Sequence, residues 1–246
     1  MNENMIIFIA VGFFAQIIDG ALGMAYGVTS NSFLLFLGIP PAMASASVHS
    51  AEIFTSGVSG LSHLKFGNVN KSLWKKLLIP GVIGGVLGAY VLSSIPGKVI
   101  KPFIATYLLI MGLMIFCKAL RKIRERDVKT KIFPLGVAGG FFDAIGGGGW
   151  GPIVTSTLVA RGNNPRFSVG TVNLAEFFVT LAEAATFFTL LRLVHWKIIL
   201  GLMIGGVIAA PMAAYICKRL PARVLMFIVG GLIVGLSLRT IYLVVL

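Results

Sequence analysis

Five of the eight acidic residues in this 246-residue chain, Asp19, Glu52, Asp143, Glu176 and Glu183, fall inside long apolar stretches. An ionisable side chain at membrane depth costs several kcal/mol, so such acids point to an ion or substrate pathway unless they serve local structure. Asp19 and Asp143 stand at the edge of glycine-rich breaks, where a carboxylate also has the option of bonding loose backbone N–H groups. Glu52 and Glu176 lie in mid-segment, each with a polar partner three residues before it, His49 and Asn173 respectively. That spacing puts acid and partner on one helix face. Asp19, Glu52, Asp143 and Glu176 are the candidate ion-coupling residues, with His49 as a relay, because imidazole both takes up and gives up a proton near neutral pH.

The glycines supply a second chemistry. Asp143-Ala-Ile-Gly146-Gly147-Gly148-Gly149-Trp150-Gly151-Pro152 sits in the middle of apolar sequence. Each glycine is about 1 kcal/mol worse than alanine inside a helix, whereas proline suits a helix's first turn. The stretch therefore predicts a broken helix, one piece ending near Asp143 and the next beginning near Pro152. Bare N–H groups at a helix start form an anion-binding device. The candidate substrate-binding set is Gly23, Tyr26, Gly27, His49, Gly147, Gly148, Gly149, Trp150, Gly151 and Asn173. The rings of Tyr26 and Trp150 would wall the pocket and donate from O–H or N–H. Thr29, Ser30, Ser32, Thr155 and Ser156 are further donors. Close helix packing is the competing use of the glycines. An anion pocket lined by ionised carboxylates repels its ligand. The acids must therefore be protonated or neutralised when substrate binds, which makes proton coupling the expectation; carboxylates and half-helix C-termini also suit Na⁺.

The elements that would position these residues are membrane helices. The chain is 57% hydrophobic and 12% charged, with a mean hydropathy of +0.95, against about 25% charged residues in a soluble domain. The net charge of +13 sits in short gaps between apolar segments, as the positive-inside pattern requires, and not in a patch for nucleic acid. The N-terminus shows no positive n-region or cleavage site of a signal peptide. Cys117 and Cys217, at segment ends, read as packing residues, and His63 and His195 as interfacial. No metal-ligand spacing, cofactor motif, nucleophile–base constellation or phosphate-binding G-x-x-x-x-G-K-[ST] loop is visible, which argues against an enzyme or an ATP-driven pump.

The two halves repeat. Adding 124 to a position aligns Gly12–His63 with the second half without a gap, pairing Asp19 with Asp143, Gly23 with Gly147, Gly27 with Gly151, Pro41 with Pro165 and Glu52 with Glu176. Tyr26 matches Trp150, while Glu183 meets Ser59 and so reads as structural. The organisation is a first repeat over 1–117, a basic linker over 118–131 and a second repeat over 132–246. Each repeat reads as a broken segment followed by three spans. If the broken segment is a re-entrant hairpin, the repeats are inverted, and Lys/Arg divide 16 to 5 between the two sides; a single crossing gives only 14 to 7. Length agrees, since the 28 residues from Phe133 to Ala160 fall short of the roughly 40 needed for two spans. The fold expected is an all-α polytopic membrane protein of two inverted repeats, each a re-entrant or broken hairpin plus three transmembrane helices. The linker is then cytoplasmic and both termini extracytoplasmic. The hairpin tips meet near the midplane, as in broken-helix secondary transporters. The glycine run Gly81…Gly84-Gly85…Gly88 offers a homodimer face.

Asp143…Gly146-Gly147-Gly148-Gly149-Trp150-Gly151-Pro152…Pro165…Asn173-Leu-Ala175-Glu176, echoed by Asp19…Gly23…Tyr26-Gly27…Pro41…His49-Ser-Ala51-Glu52, resembles the TauE/SafE sulfite exporter family over nearly the whole chain. The second copy is the closer match; the first lacks the polyglycine and the Gly-Pro. The resemblance implies a bacterial inner-membrane transporter of sulfur-containing anions such as sulfite, sulfonates or thiosulfate. The residues themselves leave a passive anion channel and a non-transporting membrane scaffold as alternatives.

Overall fold

The structure, a computed structural model, describes residues 5–120, 130–161, 163–191, 195–216 and 222–245. Most of the basic linker, Cys217, Pro221 and three of the basic residues in the charge count (Arg192, Lys218 and Arg219) lie outside the described residues. Every regular element among the described residues is helical. In the first half these are α1 (Met5–Leu22), α2 (Tyr26–Phe36), α3 (Pro41–Lys65), α4 (Lys71–Ser94) and α5 (Gly97–Leu120). In the second they are α6 (Ile132–Gly146), a π-helical stretch Trp150–Thr155 continuing as α7 (Ser156–Ala160), α8 (Pro165–Leu191), α9 (Trp196–Ile216) and α10 (Ala222–Val245).

The boundaries follow from local chemistry. Pro41 and Pro165 open α3 and α8, where a missing N–H costs nothing. Asn70 caps α4, its Oδ1 accepting from the N–H groups of Ser72 and Leu73 at 3.0 and 3.1 Å. Gly147, in the left-handed region at φ 65°, ends α6. The second break comes three residues later than the reading near Asp143, because the first glycine of the run, Gly146, still holds helical geometry.

The packing maps onto itself when the halves are exchanged. α1 lies on α9 and α6 on α4; α3 lies on both α8 and α9, α8 on both α3 and α4, and α5 on α10. Each broken helix thus packs against the other half. The tight approaches are made by glycine: a Cβ on Gly84 or Gly140 would overlap backbone of the facing helix. The glycines of α4 lie against Trp150 and Val179, Val137, Glu183 and Phe141 of the same chain. The small residues of that stripe are therefore used for close packing inside one chain.

The surface is inverted relative to a soluble protein. Large apolar side chains such as Ile79, Phe103, Leu200 and Tyr242 are exposed, while Ser45, His49, Glu52, Thr55, Ser59, Asn173 and Glu183 are buried. An apolar exterior around a polar interior suits lipid. Four helices among the described residues, α4, α5, α8 and most of α9, are long and apolar enough to cross a membrane. α3 is long enough at 25 residues but too polar to count among them, and its polar side chains point inward. Cys117 is exposed on the outer surface instead of packed. His63, in the last turn of α3, is buried at 1% exposure. Its Nδ1 pairs with Asn68 at 3.1 Å, and Arg166 of α8 donates to Asn68 and to the carbonyl of Phe66, clasping the end of α3 to the start of α8.

Gly140→Ala should lower the thermal unfolding midpoint of the detergent-purified protein, because overpacking costs about 1–3 kcal/mol. Gly231→Ala, where an added Cβ meets nothing within 4 Å, should be neutral or stabilising by up to about 1 kcal/mol.

Candidate functional site

Each half carries one elbow. In the first, Gly23 (φ 66°) and Ala25 (φ 105°) adopt left-handed backbone before α2 begins at Tyr26. A left-handed alanine is strained; its repeat equivalent, Gly149, does not share that conformation, having φ −138°. In the second elbow, Gly147, Gly148 and Gly149 join α6 to the π-helical stretch at Trp150.

The N–H groups at these elbows are not bare. Asp143 Oδ1 accepts from the N–H of Gly149 at 2.6 Å and of Trp150 at 2.9 Å. Asp19 makes the equivalent, longer contact, accepting from the N–H of Tyr26 at 3.5 Å. The two aspartates therefore plug the amides expected to face a ligand, an acceptor at a helix start being stabilised by the dipole. The polar atoms of the rings are also engaged: Tyr26 O–H donates to Leu202 O at 3.1 Å and Trp150 Nε1–H to Val172 O at 3.2 Å. Tyr26 and Trp150 are buried packing walls here, and neither donor points to an open pocket.

The elbows cross by reciprocal contacts. Gly27 lies on the backbone of Gly147 and Gly148, and Gly151 on that of Gly23 and Met24. Asn31 Nδ2 donates to Gly146 O, and its repeat equivalent Thr155 donates to Gly23 O at 2.8 Å. The same patch used on both sides is the mark of two-fold pseudo-symmetry. The sequence-predicted set Gly23, Gly27, Gly147, Gly148, Gly149 and Gly151 is thus brought together, packed at one crossing.

On the helices that leave the elbows, five buried polar atoms have no partner: Thr29 Oγ1, Ser30 Oγ, Ser32 Oγ and Asn31 Oδ1 on α2, and Ser156 Oγ at the start of α7. Buried polar groups are normally satisfied, so a cluster of orphans asks for a ligand or water. The amides of Tyr26, Gly149 and Trp150 and the two ring donors, favoured by sequence, are spoken for; these hydroxyls are not.

The acids gather on the helices beneath. His49 Nδ1 lies 3.1 Å from Glu52 Oε2 and 3.1 Å from Glu183 Oε2, and its Nε2 lies 3.2 Å from the carbonyl oxygen of Asp143. Only the Glu52 contact is aligned as a hydrogen bond; the Glu183 oxygens have ion-pair proximity to His49 but no hydrogen-bond partner. Glu183, read from sequence as structural, is therefore part of the cluster. The repeat supplies the missed signal: equivalent residues Asn173 and Ser59 pair as well, Ser59 O–H donating to Asn173 Oδ1 at 2.7 Å. One pairing is neutral, its counterpart ionisable. Glu176 is buried on α8 within electrostatic range of Asp19, Glu52, Asp143 and Glu183. No Lys or Arg is among the buried described residues to offset them. His49, Asp143 and Glu183 each bring one donor atom within 4.8 Å of the others, a spacing that fits a cation.

The family profile described as sulfite exporter TauE/SafE matches residues 8–240. The chain belongs to the TauE/SafE family. This TauE/SafE chain is 46% identical over 249 aligned positions to the probable membrane transporter protein YtnM of Bacillus subtilis, covering 97% of the chain and 83% of that protein. It is 28% identical to the probable membrane transporter protein ORF9 of Sinorhizobium sp, over 72% of the chain and 64% of that protein. A probable membrane transporter protein of Haemophilus influenzae is likewise 28% identical, over 86% of the chain and 84% of that protein. No solved structure matches. Family and relatives together make this TauE/SafE protein a membrane-embedded transporter.

Asp143→Ala should strand the N–H groups of Gly149 and Trp150, each at a cost of about 1–3 kcal/mol. Thermal unfolding in detergent should therefore show a larger loss for Asp143→Ala than for Asp143→Asn, which keeps an acceptor oxygen. Equal losses would remove the plugging role.

Proposed function

We propose that the protein is a secondary transporter of a small sulfur oxyanion, such as sulfite, thiosulfate or an organosulfonate, driven by the proton gradient. The observation that carries this reading is the crossing of the two elbows, with orphan hydroxyls on the helices that leave it, in a chain of the sulfite exporter family. Hydroxyl donors suit a tetrahedral or pyramidal oxyanion, and a hydrogen bond to a charged group contributes about 1.5–3 kcal/mol. Thr29, Ser30, Ser32 and Ser156 are the anion's donors; the elbow amides of Gly149 and Trp150 add to them if Asp143 lets go.

The repeats are inverted, so the crossing lies near the bilayer midplane, the linker faces the cytoplasm and both termini face out. The membrane is the bacterial inner membrane. In the packed crossing the elbows close the path, and transport needs them to part. Glu176 carries the proton: it is buried, surrounded by other acids and unsupported by any buried lysine or arginine among the described residues. A carboxyl that is protonated as the anion enters removes the repulsion between them. The protein moves its substrate unchanged and is not an enzyme.

Proteoliposomes containing the purified protein should accumulate sulfite or thiosulfate uphill when a proton gradient is imposed, and not when it is collapsed. Ser30→Ala and Ser32→Ala should raise the half-saturating concentration by about tenfold or more. Glu176→Gln should abolish uphill accumulation while leaving exchange of internal for external anion. Equilibration without accumulation would make the wild type a passive channel, and absence of flux for every sulfur anion would remove the substrate class.

A further inference from the structure

His49 sits where α3, α6 and α8 meet, and its tautomer is set by its neighbours. Nε2 faces the backbone carbonyl of Asp143, a pure acceptor, so Nε2 carries a hydrogen and a neutral ring turns the Nδ1 lone pair the other way. There it meets Glu52 Oε2 and Glu183 Oε2, both at 3.1 Å. A lone pair facing two carboxylates in a water-poor core needs a positive centre between them. One proton on Nδ1 answers Glu52, the only aligned partner, and leaves Glu183 with two oxygens and Asp143 with Oδ2 unsatisfied. All three side chains are at most 2% exposed.

We propose that His49, Asp143 and Glu183 bind a divalent metal cation of the borderline class, such as zinc, iron(II), cobalt or nickel. One imidazole and two carboxylates suit these ions; alkali cations have little use for imidazole, and copper(I) prefers thiolates. The N–H of the ligating histidine already rests on a backbone carbonyl, the arrangement that orients metal-bound imidazoles. Phe187 stacks parallel to the His49 ring, with centroids 6.2 Å apart and planes at 5°. Gly85 makes room for Glu183, since a Cβ there would come within 2.5 Å of Oε1. The three ligands come from positions 49, 143 and 183, far apart in the chain, which is why no metal spacing shows in the sequence.

The site is one-sided. The first repeat's Ser59 and the second's Asn173 make the equivalent pairing as a neutral hydrogen bond, so only one of the two equivalent pairings, His49 with Glu183, offers ligands for a cation. Three protein donors leave further positions for water or for an oxyanion. A cation here would offset the buried acids next to the crossing. That benefit rests on the transporter reading; metal binding itself does not.

The full chain, purified in detergent with a histidine-free tag and stripped with a chelator, is titrated with Co²⁺ and Zn²⁺. Expected are one ion per chain, a Co²⁺ d–d absorption band, and a rise in the thermal unfolding midpoint with Zn²⁺, since a ligand of the folded state stabilises it. Glu183→Gln and His49→Gln should each weaken binding by at least about tenfold, and His195→Ala should leave it unchanged. Where Glu183→Gln fails to fold, Glu183→Asp keeps a carboxylate and should shift the Co²⁺ band. No saturable binding, proton uptake without metal uptake, or binding indifferent to the His49 and Glu183 variants would overturn the proposal. A protein that binds metal but moves no sulfur anion would overturn the transport reading and leave this site standing.

Discussion

The rest of the structure depends on the contact between two glycine elbows. Gly27 and Gly151 let each elbow lie on the backbone of the other, a separation that any Cβ would forbid. Because the contact is reciprocal, it fixes how the halves interlock: α1 must then run beside α9 and α6 beside α4, each broken helix packed on the other repeat. Asn31 and Thr155 lock the crossing from both sides by donating to the carbonyls at the ends of the opposing half-helices. In a lipid environment these otherwise unpaired carbonyls have no water to turn to.

The sequence carried much of this because its period is long and its unusual residues are rare. Two buried aspartates, two glutamates and two prolines in one register identify the repeat, and the polyglycine identifies a break whatever surrounds it. Other features required three-dimensional partners. Whether Asp143 faces a ligand or its own elbow depends on the path of three glycines, and glycine constrains that path least. Glu183 looked solitary because its partner lies on another helix, although the register already pairs 59 with 183 and 49 with 173. The glycine stripe of α4 signals close approach without naming the approaching helix. Cys117 and His63 differ for a similar reason: a position at a segment end does not reveal whether a neighbour covers it.

Charge links this architecture to activity. Five carboxyls and two imidazoles share an interior in which no lysine or arginine is buried among the described residues. Such an interior is hostile to an anion until protons or a cation enter it, which is the physical ground of the proposed coupling. The family's transporter character and the proposed coupling fit together physically: a carrier must make its site conditional, and buried carboxyls with no lysine or arginine beside them would do so. The departures from symmetry are confined to a few positions, His49 against Asn173 and Glu183 against Ser59, so two similar halves enclose one distinctive ionisable cluster.

The most direct measurement is an experimental structure of the protein in lipid with thiosulfate or sulfite bound. The account predicts density for the anion between the elbows, within hydrogen-bonding distance of the hydroxyls of α2 and Ser156, with the crossing close to the bilayer midplane. Anion density away from that crossing, or elbows lying apart against lipid, would contradict it.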